Sequence, residues 1–485
     1  MSEGGLKRFS AESLRRLIAS ALPEGSEPPP PSPGQLYVPL QHARALNVQR
    51  ALVVGDRGAG KSHWCQSIAR DELRLLVAHR MPETSLKNCR VSVGHAGGKT
   101  EGRFPDEDAF TDLLKRDYSP REVWQAVIAR AVLGAESGLP RTYWRETIDW
   151  MREDRERLSA LLSRADAELE RDKRSHLIVF DALDVIAPTN WDTARNYARE
   201  LLRLALEFQN RYHALRLKVF LRQDMFVDGA VLAFPDASKL QNSAIFLEWT
   251  HGDLYSLFWQ YLANAEQEGA EIFRRECESL FGIAWKLDQN VWPVPDALRR
   301  ETVLQEAVFH AVAGPYMGAE KRRGNTYTWL PNHLADGRGY TSPRSFLAAL
   351  RRAAEHESTK GDAALPYTAI KAGVQAASQI RVKEISEDYD WVEKVMLPLH
   401  RLTVPCLFSE VEGRWLEKGG VEKLCENTRF LPPSNLREGA AGVRGDLEAL
   451  GVFQVASQQR VNVPDVFRIA FGLGRKGGVK PVGKR

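Results

Sequence analysis

Residues 50–69 read Arg-Ala-Leu-Val-Val-Gly-Asp-Arg-Gly-Ala-Gly-Lys-Ser-His-Trp-Cys-Gln-Ser-Ile-Ala, and this stretch decides the predicted fold. It begins with a short apolar run, Ala51–Val54, that is typical of a buried strand. The glycine-rich segment Gly55–Ser62 follows and satisfies the pattern GxxxxGK[ST]. After it, we predict a helix over Ser62–Ala78. A strand, a glycine-rich turn and a helix in this order indicate a P-loop, because that motif requires both flanking elements.

The residue types of this loop suit the phosphates of ATP. Its glycines let backbone N–H groups converge on phosphate oxygens without a Cβ in the way, and the start of the helix adds partial positive charge. We expect Lys61 to reach the β- and γ-phosphates and Ser62 to hold Mg²⁺. The residues predicted to contact the nucleotide are Gly55, Asp56, Arg57, Gly58, Ala59, Gly60, Lys61, Ser62 and His63. The alternative is a purely structural glycine turn.

A partner for the metal is predicted at the end of another buried strand. The apolar run Leu177–Phe180 ends in Asp181, and Asp184 follows three residues later. Mg²⁺ prefers hard oxygen ligands, so Asp181 is expected to bind it directly or through water. The alternative is a strand that simply ends in a solvated aspartate.

The next predicted strand, Leu217–Leu221, is followed by Arg222, Gln223 and Asp224. Ligands in open α/β sheets bind at the carboxyl ends of strands, so Arg222 or Gln223 is expected to face the γ-phosphate. The alternative is a surface ion pair between Arg222 and Asp224.

A further candidate opens a helix near the middle of the chain. Ser342 is predicted to cap this helix, Pro343 suits its first position, and Arg344 falls in its first turn. The helix dipole disfavours a cation there unless the cation meets an anion. Bound phosphate is one such anion, and an Asp elsewhere in the chain is the alternative.

Alternating apolar runs and helical stretches define the predicted organisation. The predicted strands are Ala51–Val54, Cys89–Val93, His176–Phe180, Leu217–Leu221 and Ala244–Glu248. Mostly apolar strands of this length indicate a parallel sheet covered on both faces. We divide the chain into an N-terminal helix with a Pro-rich linker (1–34), an α/β core (35–250), a helical segment (251–360) and a C-terminal domain with a basic tail (361–485). The long segment Thr142–Arg174 is predicted to be an amphipathic helical insertion.

Both ends of the chain carry separate predictions. A short helix is predicted after Ser10, either as a tether of no specific role or as a docking helix for a partner protein. Near the other end, Gly451–Val455 and Arg460–Val463 are predicted to form a hairpin. Helices followed by such a ribbon suggest a winged helix.

The segment Val466–Arg485 contains Arg468, Arg475 and four further Lys or Arg residues, with no acidic residue. Interleaved glycines make it a flexible basic strip able to follow the phosphates of DNA or RNA. The alternative is a merely solubilising tail.

Composition bounds these expectations. The chain has 485 residues, of which 43% are hydrophobic and 27% charged, the balance of a multidomain globular protein. No apolar run is long enough to predict a membrane helix. Five scattered cysteines without a CxxC pair predict a reducing, cytoplasmic compartment. The net charge of +4 is too small for a general nucleic-acid signature.

Together these elements resemble the P-loop ATPases of the AAA+ and STAND type over about residues 35–355. In that resemblance Gly55–Ser62 is the Walker A loop, Leu177–Asp181 the Walker B strand, Arg222 the sensor-1 position and Pro343–Arg344 the start of the sensor-2 helix. The resemblance implies an α/β P-loop core with a parallel sheet of order 5-1-4-3-2, a helical lid and a C-terminal winged-helix-like domain.

Two departures from the AAA+ pattern concern catalysis. AAA+ enzymes usually follow the Walker B Asp with a Glu that positions the attacking water, whereas Ala182 stands here. Asp184 is the candidate substitute. AAA+ rings also place an arginine finger before the lid, yet no Arg occurs over Gln223–Phe273 and Lys239 is the one permanent cation there. An arginine finger accelerates other NTPases by several powers of ten, so we expect slow or partner-stimulated hydrolysis.

Three functions fit these patterns. The first is a Mg²⁺-dependent ATPase that acts as a nucleotide-gated switch for an effector protein or nucleic acid. The resemblance implies roles in bacterial defence, antiphage defence included, or in transcriptional control. The second is a DNA-associated AAA+ ATPase of the transposition or loading type that assembles on duplex DNA, which leaves self-association of the chain open. The third, a simple P-loop kinase, would not need a chain of this length.

Overall fold

The computed structural model describes residues 7–24, 31–97, 102–183, 186, 190–300, 302–356 and 362–475. The chain forms two compact units. The sheet unit is Val38–Glu248, and the helical unit combines Met1–Tyr37 with Trp249–Arg485. Residues 357–361, at the predicted boundary between the helical segment and the C-terminal domain, lie outside the described residues.

The helices, in chain order, are α1 Ala11–Ala21, α2 Leu40–Leu46, α3 Lys61–Ala69, α4 Asp71–Arg80, α5 Glu107–Lys115, α6 Pro120–Val132, α7 Trp144–Glu153, α8 Arg155–Arg171, α9 Trp191–Arg211, α10 Gln223–Val227, α11 Ala237–Ser243, α12 His251–Ala263, α13 Glu268–Phe281, α14 Asp296–Arg299, α15 Val303–Ala313, α16 Thr326–Leu334, α17 Pro343–Ala354, α18 Tyr367–Ser386, α19 Asp390–Met396, α20 Phe408–Leu416, α21 Gly420–Leu424, α22 Gly439–Ala449 and α23 Asp465–Arg468. The strands are β1 Leu52–Gly55, β2 Cys89–His95, β3 Ser175–Phe180, β4 Leu215–Arg222, β5 Ile245–Phe246, β6 Gln454–Val455 and β7 Val461–Asn462.

The sheet unit is built on a parallel sheet, as the sequence predicts. In the described part of the chain its strand order is β2-β3-β4-β1-β5, which is 5-1-4-3-2 when read from the other edge. All four neighbouring pairs are parallel, and Gly55 of β1 is in register with Arg222 of β4. The fold is therefore of the predicted α/β class, and the carboxyl ends of β1, β3 and β4 meet at one edge of the sheet.

Burial on both faces explains why β1 is wholly apolar. Leu52 and Val54 of β1 belong to a core that α6 and α9 also line. Val53, between them, is fully buried as well, and side chains alternate between the faces of a strand. Close packing also places a glycine in β2, since a Cβ on Gly94 would lie 2.5 Å from the ring of Phe180.

The N-terminal helix α1 is neither the tether nor the partner-docking helix that the sequence suggested. Its buried residues Leu14, Leu17 and Ile18 belong to the core of the helical unit, and α1 packs against α12, α13 and α17. Phe9, just before it, stacks on Phe273 with ring centroids 5.6 Å apart. An apolar stripe of this kind is stabilised by burial, and the same chain provides the partner surface.

Two predicted helices are each interrupted. The helix expected over Ser62–Ala78 is divided at Arg70, whose extended backbone (φ −93°, ψ 125°) separates α3 from α4. The predicted insertion over Thr142–Arg174 is α7 followed by α8. The break falls at Asp154, because its carboxylate accepts a hydrogen bond from the Arg157 N–H and so starts a new helix.

The end of the helical unit contains the predicted ribbon. β6 and β7 pair antiparallel, and Cys406 forms a further antiparallel bridge with Val461. Helices α18–α22 precede this ribbon. All five cysteines are buried, and none forms a disulfide.

Candidate nucleotide-binding site

The glycine-rich loop lies between the last residue of β1 and the first residue of α3. Gly58 (φ 78°) and Gly60 (φ 104°) both have left-handed backbone, which glycine adopts without the strain that a Cβ would cause. The Ala59 N–H donates to the carbonyl of Asp56 at 3.1 Å and closes the turn. The sequence therefore folds here as a tight loop that ends at a helix N-terminus.

The side chain of Lys61 folds back and bonds to the start of this loop. Its Nζ donates to the carbonyls of Gly55 and Asp56, both at 2.9 Å. Gly55 is equally confined, because a Cβ there would lie 3.3 Å from the Cβ atoms of Ala59 and Leu247. The ammonium of Lys61 thus lies at the start of α3, and a cation together with the N–H groups of a helix N-terminus is an arrangement that suits phosphate oxygens.

Asp181 follows β3 directly and is almost fully buried. Its N–H donates to the carbonyl of His95 at 2.9 Å, and Nδ1 of His95 lies 2.7 Å from the carbonyl of Asp181. These two contacts fix the backbone of Asp181 against the end of β2. His95 had not been identified from the sequence, since a lone histidine at a strand end carries no motif.

The charge of Asp181 acts on a residue of α3. Burial, and after it the charge of Asp181, raises the pKa of the Cys65 thiol well above its usual value. Cys65 lies three residues after Ser62, and residues three apart share one face of a helix. Ser62 and Asp181 thus belong to the segments that follow β1 and β3 at one edge of the sheet.

A hydroxyl and a carboxylate at this place suit Mg²⁺, which prefers oxygen ligands and keeps several waters when phosphates complete its shell. Among the described residues, no group of three or more His, Cys, Asp and Glu side chains could hold a metal by itself. A metal at Ser62 and Asp181 would accordingly need the nucleotide phosphates as well.

The residues after Asp181 bear on hydrolysis. Asp184, the candidate substitute for a Walker B Glu, lies outside the described residues. Ala182 has left-handed backbone with φ 54°. Because of this backbone conformation, a longer side chain at position 182 would point in a different direction than the side chain of a residue with extended backbone.

Arg222 lies at the same sheet edge as Gly55 and Asp181. Its Nε and Nη2 donate to the two carboxylate oxygens of Asp224 at 3.1 and 3.2 Å. The ion pair that the sequence offered as the alternative is therefore present. It holds the guanidinium at the carboxyl end of β4, the strand next to the P-loop strand.

Arg344 belongs to the helical unit and lies in the first turn of α17. The anion that it meets in the structure is Glu384 of α18, with Nη1 3.1 Å from Oε1, and Glu384 is fully buried. Pro343 begins the helix as predicted. Ser342, however, makes no side-chain cap, and its buried Oγ has no hydrogen bond, so the fixed φ of Pro343 starts this helix without a cap.

His42 links the site to the end of β5 and was missed from the sequence. Trp64 Nε1–H of α3 donates to His42 Nδ1 at 3.1 Å, so the proton is on Nε2, which donates to the carbonyl of Glu248 at 3.0 Å. Burial lowers the pKa of His42 to about 3, which keeps the ring neutral. A histidine on a short helix before β1 offers no spacing from which this role could be inferred.

The structure corrects the first part of the predicted basic strip, residues 466–475. Arg468 is fully buried, and its Nε lies 2.7 Å from Oδ1 of Asp465, an acid just before the strip. Arg475 contacts the same carboxylate at 3.2 Å. This part of the chain belongs to the core, since it contains buried apolar residues such as Val466 and Phe467. Residues 476–485 lie outside the described residues.

In the described residues, every helix is either too short or too polar to cross a membrane. No protein-family model matches the sequence, and no curated protein matches it. Among solved structures, the chain is similar to that of the Aeropyrum pernix ORC2 protein, described as ADPNP-ADP complexes. Identity is 13%, the match covers 96% of this chain and 92% of that chain, and the TM-score is 0.26.

Proposed function

We propose that the protein is a Mg²⁺-dependent P-loop ATPase that hydrolyses ATP slowly and acts as a nucleotide-gated switch for a partner protein or nucleic acid. The observation that carries the proposal is the position of Lys61. Its ammonium is bonded to two carbonyls at the end of β1, directly beside the start of α3. On ATP binding, Nζ would exchange these carbonyls for the β- and γ-phosphate oxygens, which are stronger, charged acceptors.

Ser62 and Asp181 support the metal part of the proposal. The hydroxyl would bind Mg²⁺ directly, and the carboxylate directly or through water. Slow turnover is expected because a methyl group, at Ala182, stands where a water-positioning carboxylate would be needed. Asp184 is proposed to supply that carboxylate. Bacterial antiphage defence is the setting that we propose for the switch, on the sequence resemblance alone.

Titration calorimetry with ATP and Mg²⁺ tests nucleotide binding. Lys61→Ala removes a charge-assisted contact of about 1.5–3 kcal/mol, so affinity should fall at least about tenfold. Lys115→Ala removes an exposed lysine from α5 of the same unit and serves as the matched control. Equal affinity of wild type and Lys61→Ala would refute the assignment of the loop.

The rate of hydrolysis tests the second part. Without a partner, the purified protein should turn over on the order of one ATP per second or less, at the low end of enzyme rates. Turnover of tens per second by the protein alone would show that neither Ala182 nor the missing arginine limits it.

A DNA-associated ATPase is the second candidate, and the ribbon of the helical unit favours it. The segment between β6 and β7 is exposed and ends in the exposed Arg460. Duplex DNA should then stimulate hydrolysis, whereas a switch for a protein partner would leave the rate unchanged. The effect should fall steeply with salt if phosphate contacts carry it.

A further inference from the structure

A groove in the sheet unit lies away from the P-loop, between α6, α7, α8 and α9. Two cavities of about 140 and 340 Å³ form it. They share the lining residues Arg121, Gln125, Arg155 and Leu158 and are therefore adjacent.

The floor of the groove is apolar. Leu158 and Leu162 of α8 and Phe208 of α9 line the smaller cavity, and Ile148 and Met151 of α7 line the larger one. These side chains are buried, and all except Ile148 keep 5–8% of their surface exposed. An apolar side chain entering from outside would lose water contact against them, which stabilises a complex by about 25 cal/mol per Å² of apolar surface.

The rim is positively charged. Four arginines line the two cavities (Arg121, Arg152, Arg155 and Arg211) against two glutamates (Glu122 and Glu207). Both glutamates are already neutralised within the chain. Arg121 Nη1 lies 3.0 Å from Glu207, and Arg152 Nε lies 2.7 Å from Glu122.

The other two arginines have no carboxylate partner in the described residues. Arg211 donates to the hydroxyl of Ser159, whereas exposed Arg155, the first residue of α8, makes no hydrogen bond or ion pair. The helix dipole disfavours a cation at that position unless an external anion meets it. The amide of Gln125, which lines both cavities, likewise has no hydrogen-bond partner among the described residues.

We propose that this groove docks an acidic peptide segment of a partner protein. Apolar side chains of the segment fill the floor, its carboxylates pair with Arg155 and Arg211, and its main chain bonds to the amide of Gln125. Charge complementarity selects this occupant, because the two uncompensated guanidinium groups stand at the rim of an apolar floor. The site is independent of nucleotide binding at the P-loop.

Fluorescence anisotropy tests the proposal with two labelled peptides of about ten residues. In one, Leu and Phe alternate with Asp and Glu, and in the other Lys replaces the acidic residues. The full chain should bind the acidic peptide and not the basic one, with affinity that falls as salt rises. The double substitution Arg155→Glu with Arg211→Glu should weaken binding about tenfold or more.

Arg164→Glu is the matched control, since Arg164 is an exposed residue of α8 that does not line the groove. Should the double variant fail to fold, Arg155→Gln alone should still weaken binding. Hydrogen exchange should show peptide protection confined to α6–α9. The proposal is overturned if neither peptide binds, if both bind equally, or if reversing both arginines leaves binding unchanged. Concentration-dependent dimerisation abolished by the same variant would assign the groove to a second copy of the chain and also overturn it.

Discussion

The backbone of Asp181 contributes to the fold, and its carboxylate is proposed to contribute to the chemistry. Its backbone is held by His95, whereas its carboxylate is the proposed ligand of Mg²⁺. Asp181→Asn should therefore leave the fold intact and weaken Mg²⁺ binding, because a neutral amide is a poorer ligand for a hard dication. Calorimetry of ATP with and without Mg²⁺ should show that the metal adds less affinity in the variant than in wild type.

Asp184→Asn offers the complementary result. If Asp184 positions the attacking water, turnover should fall while ATP and Mg²⁺ affinities stay at wild-type values. Loss of Mg²⁺ binding in Asp184→Asn together with normal binding in Asp181→Asn would reverse the two roles.

His42 should make stability depend on pH. Its pKa is about 3 in the folded chain and 6.5 when unperturbed, so the unfolded chain binds the proton first as pH falls. The contribution of His42 to the unfolding free energy is complete above about pH 6.5 and is lost progressively as the pH falls toward about 3. At about pH 5 the loss is about 2 kcal/mol of unfolding free energy. Urea unfolding at about pH 7 and pH 5 measures it.

His42→Gln is the matched variant, since an amide can also accept from Trp64 and donate to Glu248. The loss of unfolding free energy between these pH values should shrink by about 2 kcal/mol in the variant. An unchanged pH dependence would mean that other groups, such as buried His176, account for it; burial lowers the pKa of His176 to about 4.

At the scale of elements, one buried lysine joins three segments of the sheet unit. Lys218 of β4 is fully buried, and its Nζ donates to the carbonyls of Ala45, Asn47 and Arg50 at 2.6, 3.0 and 2.6 Å. These carbonyls belong to the end of α2 and the loop that enters β1. Lys218 therefore fixes the approach to the P-loop strand from its neighbour in the sheet.

Lys218→Met keeps the length of the side chain but removes all three hydrogen bonds. The loss should be about 3 kcal/mol of unfolding free energy, since net contributions are about 1 kcal/mol each and unsatisfied carbonyls cost more. Lys239→Met, at an exposed lysine of α11, should change stability by no more than about 0.5 kcal/mol. Equal urea midpoints for the two variants would contradict the role given to Lys218.

The elements also show what could be predicted from sequence. Mostly apolar runs predicted all five strands of the sheet, because its inner strands β1, β3 and β4 are buried on both faces. The sequence also carried a signal for Lys218. A lysine within a buried strand must itself be buried, and its ammonium must then be hydrogen-bonded. Helix breaks at Arg70 and Asp154 depend on backbone angles that periodicity does not report. The docking of α1 depends on contacts with α12, α13 and α17, which lie hundreds of residues away in the sequence. The burial of Arg468 depends on the packing of α23 against α18 and on the hydrogen bonds of its guanidinium to Asp465 and to the carbonyl of Leu473.

At the scale of the whole molecule, each unit has its own apolar core. The P-loop, Asp181 and Arg222 belong to the sheet unit, and Arg344 to the helical unit. A nucleotide-gated switch requires that ATP favour one relation between the units more than ADP does. Arg344 is the proposed reporter of the γ-phosphate. It would exchange Glu384 for that phosphate, and Glu384 would retain its contact with Arg381.

Small-angle X-ray scattering of the full chain with ATP and with ADP tests the proposed switch most directly. The radius of gyration should be smaller with ATP, because one guanidinium–phosphate contact of about 2–3 kcal/mol shifts a two-state population by tens-fold. Arg344→Ala should still bind ATP but lose the difference between the nucleotides, whereas Arg352→Ala, at an exposed arginine of the same helix, should keep it. Identical scattering of the wild-type chain with ATP and ADP, or a difference that survives in Arg344→Ala, would contradict the switch as proposed.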